Sequence, residues 1–299
     1  MVLVSIIIRT LNEAKYLGEL LTSIQKQHCE HFEVEVVIID SGSNDETLEI
    51  ATRYECRITK IEKKDFTFGK SLNMGSSFSR GSILVYISGH CVPESRYWLS
   101  NLINPILTRR AGYSYGRQIG RDTTKYSESK IFDKYFPERS KFKQSGFFCN
   151  NANAAISREV WESYLFNETI TGLEDMELGK RYCESGASIA YVAEACVYHI
   201  HDETWTQTRR RYEREAIALR HIMPDVSISV RDMIRYIVAS ICSDSVSAFN
   251  DHKFITEFLS IVKFRTAQFL GSYRGNHEYR ELTNKRRENY FYPTKKLQD

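Results

Sequence analysis

Proline and glycine are scarce, 5 and 15 among 299 residues, which excludes a collagen-like chain or a proline- or glycine-rich low-complexity polymer. Neither charge sign is in excess: 41 basic against 38 acidic residues leave a formal net charge of +3. A dedicated nucleic-acid binder would carry a broad basic face, so that class is set aside and any basic site must be local. Long apolar runs are missing too. No stretch reaches the roughly 18–20 apolar residues of a membrane span, and Arg235 splits the best late candidate. The opening Met1 to Arg9 has no basic leader and turns polar too soon for a signal peptide. The seven cysteines (29, 56, 91, 149, 183, 196, 242) are odd in number, scattered, and contain no C-x-x-C pair. That argues against a disulfide framework or a zinc ribbon, and for a reducing compartment. What remains, 42% hydrophobic and 26% charged, is the composition of a folding chain. Its length predicts about two domains, or one large α/β domain with an appendage.

Apolar runs and helical periods alternate through the first third. Val2 to Ile8 and Val34 to Ile39 read as buried strands, each ended by a polar loop. Leu17, Leu20, Leu21 and Ile24 recur at helical spacing, and helices are expected at Thr47 to Tyr54 and Lys70 to Phe78. Arg57 to Ile61 is a short third strand and Ser82 to Ile87 a fourth, ending at Ser88-Gly89-His90. Strands alternating with helices predict a parallel, doubly wound sheet, in which the loops at the strands' carboxyl ends form one ligand site. A helix is expected at Trp98 to Leu107, and Tyr113 to Gln144 reads as a basic, Tyr-rich insertion or mobile loop. Structure is expected again at Gly146 to Ile156, in a helix near Asp175 to Cys183, and in short strands at Ile189 to Val192 and Cys196 to Tyr198. Three helices follow, Thr206 to His221, Ser229 to Val246 and Lys253 to Leu270, then a polar tail with Lys285-Arg286-Arg287.

Ile6-Ile7-Ile8-Arg9-Thr10-Leu11-Asn12-Glu13 and Val37-Ile38-Ile39-Asp40-Ser41-Gly42-Ser43-Asn44-Asp45-Glu46-Thr47 resemble the family 2 glycosyltransferases of GT-A fold. The segment Asp65 to Gly75 resembles rhamnosyltransferase-like members. The resemblance implies a Rossmann-like, mostly parallel sheet flanked by helices over residues 1–203, with a C-terminal helical region and basic tail over 204–299. It implies that Thr10, Asn12, Glu13 and Asp40 face the base and ribose of a nucleotide-sugar donor, with Ser41, Gly42 and Ser43 shaping the loop. A carboxylate at a strand end suits hydrogen bonds from base and ribose, although Asp40 alone would read as a turn residue. Lys70 and Asn73 join the donor set by the same resemblance.

The family expects an Asp-x-Asp motif after the fourth strand, whose carboxylate binds a divalent metal on the diphosphate. Here Ser88-Gly89-His90 stands instead. Gly89 and His90 occupy the motif's place, and His201 of Tyr198-His199-Ile200-His201-Asp202 is a second candidate ligand. Imidazole suits manganese better than hard magnesium. The alternative is metal-free neutralisation of the diphosphate by His90, His201 and an arginine. Glu174-Asp175 resembles the family's Glu-Asp motif, which makes Asp175 the general base toward an acceptor hydroxyl and gives Glu174 a positioning role. Acidic helix capping is the plainer reading of the pair. Asn151 is a donor-sugar candidate, and Arg209, in Arg209-Arg210-Arg211, a candidate for the diphosphate or an anionic lipid-linked acceptor. A helix face paired with Glu213 and Glu215 is the alternative for that run.

The expectation is an inverting transferase of bacterial surface polysaccharide assembly, such as O-antigen or capsule. Its partners are a nucleotide-sugar donor, a glycan or lipid-linked acceptor and an anionic membrane surface, with no nucleic acid. Its place is cytoplasmic, peripheral on the inner face of the plasma membrane. A non-catalytic nucleotide- or glycan-binding module is the alternative. A nucleotidyltransferase is disfavoured because Thr10-Leu11-Asn12-Glu13 lacks a Gly-rich phosphate loop.

Overall fold

The structure, a computed structural model, describes residues 1–278 and 290–291. Eight strands form one sheet: β1 (Val2–Thr10), β2 (Phe32–Asp40), β3 (Arg57–Lys60), β4 (Ile83–Ser88), β5 (Cys91–Pro93), β6 (Tyr113–Ile119), β7 (Asn153–Ser157) and β8 (Ile189–His199). The helices are α1 (Ala14–Gln25), α2 (Thr47–Arg53), α3 (Phe68–Phe78), α4 (Trp98–Leu107), α5 (Tyr126–Tyr135), α6 (Arg158–Tyr164), α7 (Glu174–Glu184), α8 (Trp205–Ile222), α9 (Val230–Asn250) and α10 (Phe254–Asn276). Among the described residues no helix is long and apolar enough to cross a membrane.

The chain divides into two compact units. The first holds residues 1–121, 132–169 and 174–200; the second holds 122–131, 170–173 and 201–299. The sequence places one boundary at 203, whereas two short segments from earlier in the chain also belong to the second unit.

In the first unit the sheet order is β3-β2-β1-β4-β7-β6-β8-β5. β3, β2, β1 and β4 are parallel, so their carboxyl ends and following loops share one edge. β7 runs antiparallel to both β4 and β6, and β5 antiparallel to β8, so the sheet is mixed rather than all-parallel. The expected runs are buried strands because both faces are covered. Ile6, Ile8, Leu17, Leu20 and Ile38 pack on one side, and Ile7, Val37, Ile39, Leu72 and Tyr86 on the other.

Three segments differ from the sequence reading. Tyr113 to Gln144 is not a loop: it holds β6 and α5, and Tyr113 to Gly116 are buried despite their polar look. Tyrosine supplies apolar bulk with a hydroxyl that needs a partner, found for Tyr113 on Asn151 Oδ1 at 2.9 Å. The two short strands at 189 and 196 are one strand, β8, paired with β6 through a register shift between Gly116 and Gln118. Within Gly146 to Ile156 only residues from Asn153 onward are strand.

The second unit is helical. α8 and α9 both begin with capping boxes, Thr204 with Gln207 and Ser229 with Asp232. α10 packs closely on α8, since a Cβ on Gly271 would stand 2.3 Å from Arg209 O and one on Gly275 2.1 Å from Glu213 O. Lys285-Arg286-Arg287 lies outside the described residues.

Candidate active site

The loops at the carboxyl ends of β1 and β2 are tied together by side chains. Asp40 ends β2 and is 1% exposed. Its Oδ1 accepts from Thr10 Oγ1 (3.1 Å) and Ser43 Oγ (2.5 Å), and its Oδ2 from the backbone N–H groups of Gly42 and Ser43 (both 2.9 Å). A carboxylate has about four acceptor positions, and here all are filled. Asp40 is thus tied into the loop that follows it. Asn12 stands at φ 56°. Its N–H donates to Ser43 Oγ (2.9 Å) and its Oδ1 accepts from Asn44 N (2.9 Å), which closes the two loops on each other. Ser41 donates to Thr10 O at 3.2 Å, and Gly42 takes the left-handed φ of 99° that the turn needs. Gly42 is exposed, while Thr10 and Ser41 are buried.

Glu13, at the start of α1, pairs with a histidine. Its carboxylate Oε1 lies 2.9 Å from His90 Nδ1. A Cβ on Gly89 would sit 2.8 Å from Glu13 Cγ, so glycine there is what lets the pair form. The ring of His90 stacks on that of His199 at 5.2 Å with 21° between planes. His199 ends β8, is 7% exposed, and its Nδ1 lies 2.7 Å from Gln118 Oε1. Gln118 is anchored in turn by its Nε2 donating to Asn150 Oδ1 at 3.1 Å. Both histidines thus direct Nδ1 at a side-chain oxygen, which orients each ring. Their ligand atoms lie within 4.8 Å of each other. Two oriented imidazoles fit a divalent transition-metal ion better than magnesium, which prefers oxygen, and a manganese ion there would take its other ligands from oxygen. Gln118 carries no signal in the sequence, whereas the His-x-His spacing marks both His199 and His201, of which the sequence reading takes His201 as the ligand.

At the start of α7, Glu174 and Asp175 are 5% and 7% exposed. Asp175 Oδ2 accepts from Asn151 N (2.8 Å) and Oδ1 from its neighbour Met176 N (2.7 Å). Burial, then the like charge of Glu174, push the Asp175 carboxyl up to about 7 against the pull of those two N–H groups and Arg9. Arg9, the penultimate residue of β1, donates to Glu174 Oε1 at 3.4 Å while its guanidinium lies 4.7 Å from the centroid of the Phe68 ring. It was also missed, since an arginine closing a strand carries no motif of its own. Asn151 is 3% exposed, and its Nδ2 is buried with no partner among the described residues. A buried orphan donor beside Asp175 is an opening for a ligand's oxygen.

Asn73 is a structural latch: Nδ2 donates to Phe166 O and Glu168 Oε1 (both 2.9 Å), and Oδ1 accepts from Trp161 Nε1 (3.1 Å) and Phe166 N (3.0 Å). Its amide is fully used within the protein. Lys70 Nζ sits 3.6 Å from Asp65 Oδ1 on a half-exposed side chain. In the second unit, His201 Nδ1 lies 2.8 Å from Glu128 Oε1, which also accepts from Arg211 Nη2 at 2.6 Å. Arg211 Nε donates to Glu203 Oε2 at 2.9 Å. Arg211 is thus spent on in-chain carboxylates, and Arg209 and Arg210 are only half-exposed, so this run is not a free basic face. Arg209 Nε is buried without a partner among the described residues.

Comparison with known proteins gives this geometry its setting. The chain is 28% identical over 194 residues to the O-antigen chain rhamnosyltransferase WbaN of Salmonella anatum, a match covering 60% of each chain. It is 25% identical over 221 residues to RfbN of Salmonella typhimurium, an O-antigen chain rhamnosyltransferase, covering 70% of each. The chain thus spans less than two thirds of the first of these relatives. The fold is shared with a mannosyltransferase of Pyrobaculum calidifontis solved with GDP-mannose and Mn2+, at TM-score 0.62 and 15% identity over 93% of this chain and 88% of that one. TarS residues 1–349 of Staphylococcus aureus, solved with UDP, superposes with TM-score 0.54 at 16% identity over 93% of both chains. The sheet with its helices is of GT-A type. The family model for glycosyl transferase family 2 matches residues 5–165, more than half the chain, and the chain belongs to that family.

Proposed function

We propose that this chain is an inverting glycosyltransferase that moves a sugar from a nucleotide-sugar donor to a hydroxyl of a glycan or lipid-linked acceptor. Its setting is the assembly of a bacterial surface polysaccharide. The two Salmonella relatives' names point to a rhamnosyl group and to O-antigen as the product class. The observation that carries the reading is Asp175: a buried carboxyl lifted to about 7 is poised to take a proton near neutral pH.

In the proposed reaction the acceptor oxygen forms a bond to the anomeric carbon while the bond from that carbon to the diphosphate oxygen breaks on the opposite face. The hydroxyl proton passes to an Asp175 carboxylate oxygen, and the nucleoside diphosphate departs with the electron pair. Asn151 N–H holds Asp175 in place, and Asn151 Nδ2 is free to meet a sugar or acceptor oxygen. The loops clamped by Asp40, Asn12 and Ser43 give the nucleoside a rigid floor, with Asp40 acting through the loop's backbone. Asn12, Gly42 and Asn44 are exposed on those loops.

His90 and His199 are the proposed holders of a divalent cation, with manganese preferred over magnesium. His201, chosen from the sequence, enters the proposal by its place two residues after His199 in the chain. A cation held there would supply positive charge for the departing diphosphate. Lys70 and Arg209 stay in the proposal as candidate phosphate contacts.

Asp175→Asn removes the base with little change of shape. Turnover should fall about 10²- to 10⁴-fold while nucleotide affinity is kept, as measured by sugar transfer and calorimetry on one folded preparation. Full turnover by the folded variant would dismiss Asp175 as base.

A further inference from the structure

In the second unit, α9 and α10 form a helical hairpin whose outer surface is unlike the rest of the described chain. Ile234, Val238, Val246 and Phe249 of α9 are 54%, 55%, 64% and 71% exposed, and Ile255 and Leu259 of α10 are 94% and 69% exposed. At about 100° per residue the four α9 side chains fall within roughly 120° of arc, and Ile255, Leu259 and Lys263 follow at i, i+4 spacing. These are stripes, on a helix pair whose opposite sides already have partners. Asp244 is buried against Arg265 (2.7 Å) and Ser127 (2.6 Å), and Ala248 and Ile261 belong to a small core with Tyr126.

The charge on this surface is mostly of one sign. Within α9 and α10 every exposed charged side chain is cationic, namely Arg231, Arg235, Lys263 and Arg274, while Asp232, Asp244 and Glu257 are half-buried or buried. Asp232 is occupied in the α9 capping box and with Arg235 at 3.2 Å. In the connecting turn Asp251 is held by Tyr126 (2.7 Å) and Lys130 (3.3 Å).

We propose that the α9–α10 hairpin lies flat on an anionic lipid surface, its apolar stripes at the acyl boundary and its arginines and lysines among the phosphates. An amphipathic, cationic helix pair too polar to cross a bilayer is suited to that interface. A second copy of the chain is the weaker occupant. A two-fold contact through this face would set its arginines and lysines against each other, with the hairpin's exposed carboxylate, Asp251, already held by Tyr126 and Lys130. This docking goes beyond the proposed function and does not depend on the donor chemistry. The run Arg209 to Arg211, read from the sequence as a candidate for an anionic lipid-linked acceptor, is occupied in part by the carboxylates of Glu128 and Glu203.

The test is cosedimentation of the full chain with phosphatidylcholine vesicles, alone or with about one third phosphatidylglycerol, over a range of salt. Light scattering on the same protein reports its oligomeric state. The proposal expects binding only to the anionic vesicles, weakening as salt rises. Arg231→Gln with Arg235→Gln should lower the partition coefficient about tenfold. Phe249→Asp with Ile255→Asp should abolish binding while the melting temperature and nucleotide binding hold. Wild type that ignores anionic vesicles, or variants that bind as wild type does, would overturn it. So would a dimer that Phe249→Asp dissolves, because the face would then belong to a second copy. If the aspartate variant fails to fold, the arginine pair, fully at the surface, decides alone.

Discussion

Asp175 and Glu174 are adjacent in sequence and nearly equal in burial, yet their surroundings separate them. Asp175 spends both oxygens on backbone N–H groups, and Glu174 faces Arg9. The groups that act on the Asp175 carboxyl are Glu174 and Arg9, with the buried Cys149 thiol and Tyr113 hydroxyl close by. Burial is the largest influence and the negative charge of Glu174 the next, both disfavouring the ionised form. The sign of the pH dependence follows: with its pKa raised, Asp175 is protonated and inactive as a base at low pH, and turnover climbs through about pH 7 as it ionises. Glu174→Gln removes the like charge, lowers that pKa, and should move the acid limb of the kcat profile down by about one pH unit. An acid limb that stays in place in Glu174→Gln would mean that another group sets it. At this scale the sequence was a fair guide to identity and a poor one to role. Asp175, Glu174, Asn151 and His90 gather at one edge of the sheet as their order in the chain implied. Asp40 and Asn73 have the residue types of ligand contacts but are fully bonded within the protein, and no motif reveals whether an amide or a carboxylate already has its partners.

The loop after β4 shows how an element can change its chemistry while keeping its place. Ser88-Gly89-His90 carries no carboxylate, and the nearby acid comes from the start of α1 instead, where Glu13 meets His90 Nδ1. The close approach depends on Gly89, so Gly89→Ala forces Glu13 aside. That substitution should destabilise the fold by about 1–3 kcal/mol in chemical denaturation. It should also weaken manganese binding about 10- to 100-fold by freeing the histidine that Glu13 orients. Unchanged manganese affinity would mean that the Glu13 contact is not what aligns His90. Strands with continuous apolar runs, β1, β2 and β4, were legible because both their faces are buried. β6 was not, since Tyr113-Ser-Tyr-Gly-Arg-Gln-Ile119 presents hydroxyls and an amide that pair only with residues far along the chain, such as Asn151 for Tyr113 and Gln144 for Tyr115. The direction of β7 was hidden for a related reason, because antiparallel insertion depends on partners and not on the strand's own pattern.

For the whole molecule, the ordered placement of short motifs was what the sequence carried best, and it led to the family that the comparison shows. The helical part was legible as helices by periodicity but not by task. The arginine run of α8 looked like a basic face, while part of it is folded against Glu128 and Glu203, and the exposed cations lie on α9 and α10. Charge counts along a sequence do not record which partners folding will supply. The central claim is that the loops at the carboxyl ends of β1, β2 and β4 hold a nucleotide sugar whose diphosphate lies by a histidine-bound cation. Calorimetric titration of UDP, GDP, dTDP and CMP, each with and without Mn2+, into the wild type and His90→Ala tests it most directly. One nucleoside diphosphate should bind the wild type tightly only with Mn2+, and His90→Ala should lose that dependence together with most of the affinity. Failure of every nucleotide to bind, with or without the metal, would contradict the claim and leave the chain a non-catalytic member of its family.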